Sequence, residues 1–268
     1  MRLEDICTHI VDCEHKSAPI TLGGGYFAVG TPAMRGNKIT YTEAREISKE
    51  TYVEWTQRLT PEKGDLLFAR EAPVGPVVLI PDSLNVAPGQ RTVLIRPDSR
   101  IINSKYLYYM ISSPIIQNRI MNLSMGSTVA HLNVADVRSL ELEIASLSKQ
   151  RAIAEVLGAL DDKIAVNKLL VETSEKYLRA VYERDVAASD APEVPLGEVV
   201  ELNPKRRINS DTAPQITMQK LPSPGMTVGD VSYAKPNGGV RFMNGDTLLA
   251  RITPCLENGK TAYIEAYS

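Results

Sequence analysis

The chain has 268 residues, 43% hydrophobic and 23% charged, with a formal net charge of −2; this is an ordinary globular balance, enough for one or two domains with a real core. Its three cysteines, Cys7, Cys13 and Cys255, are odd in number and lack CxxC spacing, which argues against a disulfide framework or a zinc site and for reduced thiols. No apolar run approaches a membrane span, and Met1-Arg2-Leu3-Glu4-Asp5 lacks the apolar stretch of a signal peptide, so the expectation is a cytoplasmic protein with no membrane partner.

Up to about residue 147 the pattern is mixed α and β. Asp65–Ala69, Val77–Ile80 and Thr92–Ile95 are short apolar runs, bounded by turn formers such as Pro73, Gly75, Pro81-Asp82, Pro88-Gly89 and Pro97-Asp98; they predict strands. Ser104 to Leu123 then shows helical spacing through Tyr106, Leu107, Met110, Ile111, Ile115, Ile116 and Ile120, interrupted near Pro114, with Ser104 the expected N-cap. A polar loop, Ser124 to His131, follows. Strict alternation in Leu140-Glu141-Leu142-Glu143-Ile144 predicts a short strand.

From Ser148, read as the cap, to about Val186 the chain predicts one long helix. Ile153, Leu157, Leu160, Ile164, Asn167, Val171, Ser174, Leu178 and Val181 recur at alternating four- and three-residue steps, the seam of a coiled coil. Roughly 38 residues make a rod of about 55–60 Å. Alone, such a helix would leave a large apolar stripe in water. No second helix of equal length is visible in the sequence, so the partner is expected from another molecule. Packing of the stripe on the chain's own domains is the alternative.

After a small-residue linker, Ala187 to Pro192, part of the first module returns. Gly64-Asp65-Leu66-Leu67-Phe68-Ala69-Arg70 reappears 181 residues later as Gly245-Asp246-Thr247-Leu248-Leu249-Ala250-Arg251, with five of seven positions identical. Leu3-Glu4-Asp5-Ile6-Cys7 is echoed by Leu196-Gly197-Glu198-Val199-Val200. So long an offset reads as a duplicated domain and not as a solenoid. The second copy holds the counterpart of the first module's opening half and stops at Ser268. The expected division is 1–147, 148–190 and 191–268: an α+β module, a long helix and a partial second copy.

Catalytic motifs are scarce. There is no Walker A loop, HExxH or GxSxG, and Asn203-Pro204-Lys205-Arg206 lacks the second Pro and the aromatic of a DNA methyltransferase motif. Gly23-Gly24-Gly25-Tyr26-Phe27 reads as a turn and not a cofactor loop. Asp161-Asp162-Lys163 has a metal-nuclease spacing but lies on the long helix, where a charged face is the simpler reading. His9, His15 and His131 show no ligand spacing, so no metal site is expected. Binding chemistry remains. Residues Ser83 to Ala135 carry five basic residues and one acid, a solvated surface or a DNA-facing cleft. Gly126-Ser127-Thr128 offers N–H groups and hydroxyls to phosphate, or simply connects two elements. The repeated Arg70 and Arg251 are either salt-bridge partners or base or phosphate readers. Lys205-Arg206-Arg207 is a solvated face or a phosphate contact.

Taken in order, these motifs resemble the DNA-specificity subunit of type I restriction-modification systems. The matching residues are Gly-Asp-x-Leu-x-Ala-Arg with Pro73-x-Gly75 after it, Tyr106-Leu107 at a helix start, and Gly126-Ser127-Thr128 with Leu132-Asn133 behind it. The most specific is Lys149-Gln150-Arg151-x-Ile153-Ala154-x-x-Leu157-x-x-Leu160-Asp161-x-Lys163-Ile164. The resemblance covers nearly the whole chain. It implies a non-catalytic protein whose target-recognition domains each read half of a split double-stranded DNA site, with helices that set the spacing and dock methyltransferase subunits. An endonuclease/translocase subunit would join through the complex; no cofactor is expected on this chain, with S-adenosylmethionine, ATP and Mg on the partner subunits. The residues expected to meet DNA are Arg35, Lys38, Arg70, Arg91, Ser127, Thr128, His131, Lys205, Arg206 and Arg251. Those expected to pair helices are Ile153, Leu157, Leu160, Ile164, Asn167, Val171 and Leu178. The sequence departs from a complete member in holding one whole domain, one helix and about half of a second domain, as a truncation within the second domain would; a homodimer through the helix would rebuild the two-module form. An enzyme of a related restriction-modification type and a protein-binding assembly module are the competing readings.

Overall fold

The computed structural model describes residues 1–82, 85–124, 130–190, 192–223, 225–229 and 231–265. The chain divides into two compact units, Met1–Val166 and Asn167–Ser268. The first holds β1 (Cys7–Asp12), β2 (Tyr26–Val29), β3 (Arg45–Ile47), α1 (Lys49–Trp55), β4 (Leu66–Arg70), β5 (Val74–Leu79), β6 (Val86–Pro88), β7 (Thr92–Pro97), α2 (Ser104–Ser112), α3 (Pro114–Ser124), α4 (Val134–Arg138) and the first half of α5 (Leu147–Ala187). The α+β class expected from the sequence is the class observed.

The layers follow from side-chain alternation. An antiparallel sheet runs in the order β1-β7-β4-β5, and a smaller one in the order β3-β2-β6, with β2 and β6 parallel. Successive strand residues point to opposite faces. In β4, Leu66 and Phe68 therefore join Val77, Val93 and Ile95 beneath Tyr106, Leu107, Ile111, Ile116 and Ile120 of α2 and α3. Leu67 and Ala69 face the other way, into Val29, Met34, Val78, Val86 and Leu94. The small sheet does the same one layer out: Ala28, Ile47 and Ala87 turn to Tyr52 and Trp55 of α1. Burial on both faces explains why β4 is apolar without interruption. Each fully buried Leu or Ile contributes about 1.5–3 kcal/mol.

Three local expectations shift. Asn103, not Ser104, caps α2, its side chain accepting from Tyr106 N at 3.0 Å. The long helix opens at Leu147, ahead of Ser148. Leu140–Ile144 is not a strand: among the described residues its only ladder contact is an isolated bridge from Glu141 to Arg2. Its alternation is nonetheless a burial pattern, with Leu140 and Leu142 buried and the glutamates exposed, because the segment lies along the first residues, where Leu142 N donates to Met1 O and Leu3 N to Leu140 O.

On α5 the buried residues are Gln150, Ala154 and Gly158, four apart along one face. The heptad stripe lies elsewhere. Ile153, Leu160 and Ile164 are exposed, with Leu160 at 53%, and Leu157 is half-buried. Val171 and Leu178, in the second unit, are exposed as well. The stripe is therefore not what packs α5 on the first module.

The second unit continues from α5 through α6 (Leu196–Val199), β8 (Ala213–Gln215), β9 (Ser232–Ala234), β10 (Thr247–Leu249) and β11 (Thr261–Tyr263). β8 pairs with β9 and β10 with β11. Leu221, Val228, Ala250, Ala262 and Ile264 form a small core.

Candidate nucleic-acid interface

The duplicated phrase owes its first two residues to backbone geometry. Gly64 and Gly245 share a φ of +89°, a left-handed conformation that glycine adopts without steric cost. Asp65 then closes the turn by accepting from Glu62 N at 2.8 Å, and Asp246 accepts from Met243 N at 2.8 Å. Each carboxylate also receives an arginine. Arg96 forks onto Asp65, with Nε to Oδ1 at 2.9 Å and Nη2 to Oδ2 at 2.8 Å, and Arg206 Nη2 reaches Asp246 Oδ1 at 2.6 Å. Gly-Asp is thus a structural turn in both copies, and Arg206 of the basic cluster is engaged inside it.

The last residue of the phrase sits at one end of the large sheet. Antiparallel pairing with β7 brings the ends of β1 and β4 to the start of β7, with Asp12 opposite Val93 and Ala69 opposite Thr92. Arg70 lies there, its side chain only 10% exposed. Its Nε is 3.2 Å from Asp12 Oδ1 in ion-pair rather than hydrogen-bond geometry, and Nη1 donates to Leu132 O at 3.3 Å. Its Nη2 lies 3.4 Å from His15 Nδ1. A guanidinium can only donate, so Nδ1 must accept. His15 Nε2 stands 3.1 Å from Asp12 Oδ2. Arg70 thereby takes the salt-bridge role of the two that the repeat allowed, and it holds an exposed histidine at the sheet end.

Other segments converge on this place. Arg70 N donates to Arg91 O, and Leu132 N to Arg70 O. Glu71 bridges to His131, and Arg91 Nε lies 3.4 Å from Glu71 Oε1. Gln90 Nε2 donates to His15 O at 3.2 Å. Burial raises the Cys13 thiol above its ordinary range, which makes it a neutral packing group. The result is a polar rim, with His15, Arg91 and His131 exposed and Gln90 half-buried, over the buried Arg70 and its half-buried partner Asp12.

Of the residues expected to meet DNA, the structure brings Arg70, Arg91 and His131 together. Arg35 and Lys38 are exposed but not among them: Lys38 lines a cleft of about 300 Å³ with Tyr41, Lys105, Tyr108 and Asp161. Lys205 and Arg251 are exposed in the second unit. Ser127 and Thr128 lie outside the described residues. The basic stretch from Ser83 to Ala135 does not act as one surface. Arg96 pairs with Asp65 and Glu62, Arg91 with Glu71 and Arg100 with Asp98, so its charge is largely answered by carboxylates, most of them from other segments. His15, Asp12 and Gln90 had no signal in the sequence, because their meeting depends on the strand order β1-β7-β4. Among the described residues no group of three or more His, Cys, Asp or Glu side chains is placed to hold a metal ion, and no helix is long and apolar enough to cross a membrane.

A family model described as a type I restriction modification DNA specificity domain matches residues 1–173. The chain is 30% identical over 132 residues to the type I restriction enzyme MjaIX specificity subunit of Methanocaldococcus jannaschii, covering 49% of this chain and 30% of that protein. It is 25% identical over 134 residues to the EcoBI specificity subunit of Escherichia coli, covering 49% and 28%. Among solved structures it is similar to a type I restriction-modification S subunit from M. genitalium, with a TM-score of 0.53 and 21% identity over 71% of this chain and 46% of that one. The likeness extends over less than a third of the length of these two curated relatives, and over about half of that solved chain.

Proposed function

This chain belongs to the family of type I restriction modification DNA specificity domains, and from that membership we propose that it recognises a specific double-stranded DNA sequence as a non-catalytic specificity subunit. The observation that carries the reading is the reach of the family match, which spans the whole first module and continues into α5. DNA would meet the sheet-end rim, where Arg91, His131 and His15 are exposed and Arg70 positions them from below, with Arg35, Lys38, Ser127, Thr128, Lys205, Arg206 and Arg251 as further contacts. Phosphate contacts would fix register, and base contacts would specify.

The partial second copy and the long helix support a split target, with two modules reading two half-sites. Through the stripe Ile153, Leu157, Leu160, Ile164, Asn167, Val171 and Leu178, α5 would pair with a helix of another molecule, a second copy or a partner subunit. Methyltransferase subunits would dock there, with the endonuclease/translocase subunit joining through them. S-adenosylmethionine, ATP and Mg would be bound by those partners, in the cytoplasm, as part of defence against foreign DNA. The test is footprinting of the full chain with its cognate methyltransferase subunit. Protection of a sequence-specific site with salt-dependent affinity is expected. Methyl transfer by the isolated chain would overturn the non-catalytic assignment, and binding without salt dependence would favour a protein-assembly role.

A further inference from the structure

The turn that joins β6 to β7, Gly89-Gln90-Arg91, reaches the sheet-end rim and is pinned at each residue. Gly89 N donates to Val29 O at 2.9 Å, and a Cβ at Gly89 would stand 2.3 Å from Gly30 N, so only glycine fits. Gln90 uses its amide inside the protein: Nε2 donates to His15 O at 3.2 Å, and Oε1 accepts from Ser17 Oγ at 3.3 Å. Arg91 O accepts from Arg70 N at 3.0 Å. The Arg91 backbone has a φ of +69°, the left-handed region that disfavours a residue with a Cβ and is commonly given to glycine or asparagine. Strained residues of this kind cluster at binding sites.

Of the two arginine side chains at this sheet end, that of Arg70 is 10% exposed and that of Arg91 45%. Glu71 Oε1 lies 3.4 Å from Arg91 Nε, and Glu71 is itself bridged to His131. An ion pair on Nε fixes which edge of the guanidinium faces the protein. Nη1 and Nη2 then have no hydrogen bond among the described residues. Those terminal N–H groups form the fork that matches O6 and N7 of guanine in the major groove. A phosphate is the commoner partner of an exposed arginine, but the Glu71 carboxylate beside Arg91 opposes a second anion. A neutral base edge meets no such repulsion. Adenine calls for an amide, and that of Gln90 is already engaged. We propose that Arg91 reads a guanine in the half-site bound by the first module, with Glu71 and the left-handed turn holding its fork in place. The inference rests on the DNA-recognition reading above and deepens it by naming a base.

The test uses the full chain with its cognate methyltransferase subunit. Duplexes selected from a random pool define the bound site, and competition at each position then measures base preference. The wild-type complex should prefer guanine at one position by roughly 10-fold or more. Replacing that base by 7-deazaguanine, which lacks the N7 acceptor, should lower affinity by roughly 5-fold. In Arg91→Gly and Arg91→Ala both effects should fall to roughly 2-fold or less, with the other positions unchanged. Both variants lack the fork, but glycine relieves the left-handed turn, so Arg91→Gly should unfold about 2 °C above Arg91→Ala. That comparison separates lost reading from lost folding. Uniform weakening on every duplex, with all base preferences retained, would make Arg91 a phosphate contact and overturn the proposal. Relaxation at an A·T position, or at every position together, would overturn it as well. A wild-type complex that selects no sequence would remove the DNA reading and this assignment with it, whereas failure at Arg91 alone leaves that reading standing.

Discussion

Arg70 illustrates how one residue type serves two chemistries. Its repetition is visible in the sequence, but the choice between salt bridge and DNA contact turns on burial, and burial comes from the strand order. Arg70→Ala would leave Asp12 without its cation and Leu132 O without its donor, so denaturant unfolding should show a loss of about 2–3 kcal/mol. Arg91 is the contrasting case, half exposed and paired at 3.4 Å with Glu71. Exposed pairs are worth about 0–1 kcal/mol, so Arg91→Ala should barely change stability. It should reduce the slope of log affinity against log salt by about one for DNA binding. A third prediction concerns Asp98, whose carboxyl the Arg100 side chain holds down at about 2 against an ordinary 3.8. A folded carboxyl that titrates below its unfolded value contributes fully above about pH 4 and loses that contribution as pH falls toward ~2. Stability measured through that window should fall less steeply in Asp98→Asn than in the wild type.

At the scale of elements, period was the legible quantity. The strands at 66–70, 74–79 and 92–97 and the break between α2 and α3 at Ser113 and Pro114 follow from apolar runs and turn formers. β1 was not legible: Cys7-Thr8-His9-Ile10-Val11-Asp12 has exposed Thr8 and His9 and becomes a strand through its pairing with β7. Alternation at Leu140–Ile144 is the converse, a true burial pattern without a strand, because one isolated bridge makes no ladder. In α5 the sequence displayed the heptad stripe and hid the face that packs. Gln150, Ala154 and Gly158 have little apolar weight, so small size and a buried amide leave no hydrophobic signature. An exposed stripe containing Leu160 and Ile164 calls for a partner. Leu160→Glu with Ile164→Glu should lower the mass seen by light scattering, alone or with the methyltransferase subunit, while leaving the first module's circular dichroism intact. An unchanged mass would remove the stripe from the interface.

At the scale of the whole molecule, one phrase in two settings shows what a duplicated sequence fixes. The Gly-Asp turn is reproduced in its φ, its side-chain-to-backbone hydrogen bond and its arginine partner. A strand follows it in both copies, but its burial is not reproduced. Leu67 and Phe68 are buried between two layers, whereas their counterpart residues Leu248 and Leu249 are half-buried and exposed. Local geometry travels with the residues, and burial depends on what else is packed against them. The same distinction applies to the rim, since no local pattern announces that His15, Arg91 and His131 will share one sheet end. That this rim and its partner subunits together read DNA is the central claim. Its most direct measurement is selection of bound duplexes from a random pool by the full chain in complex with its cognate methyltransferase subunit. The account predicts that the recovered duplexes share two short conserved blocks at a constant separation. Recovery of duplexes with no common sequence, or with a single uninterrupted block, would contradict it.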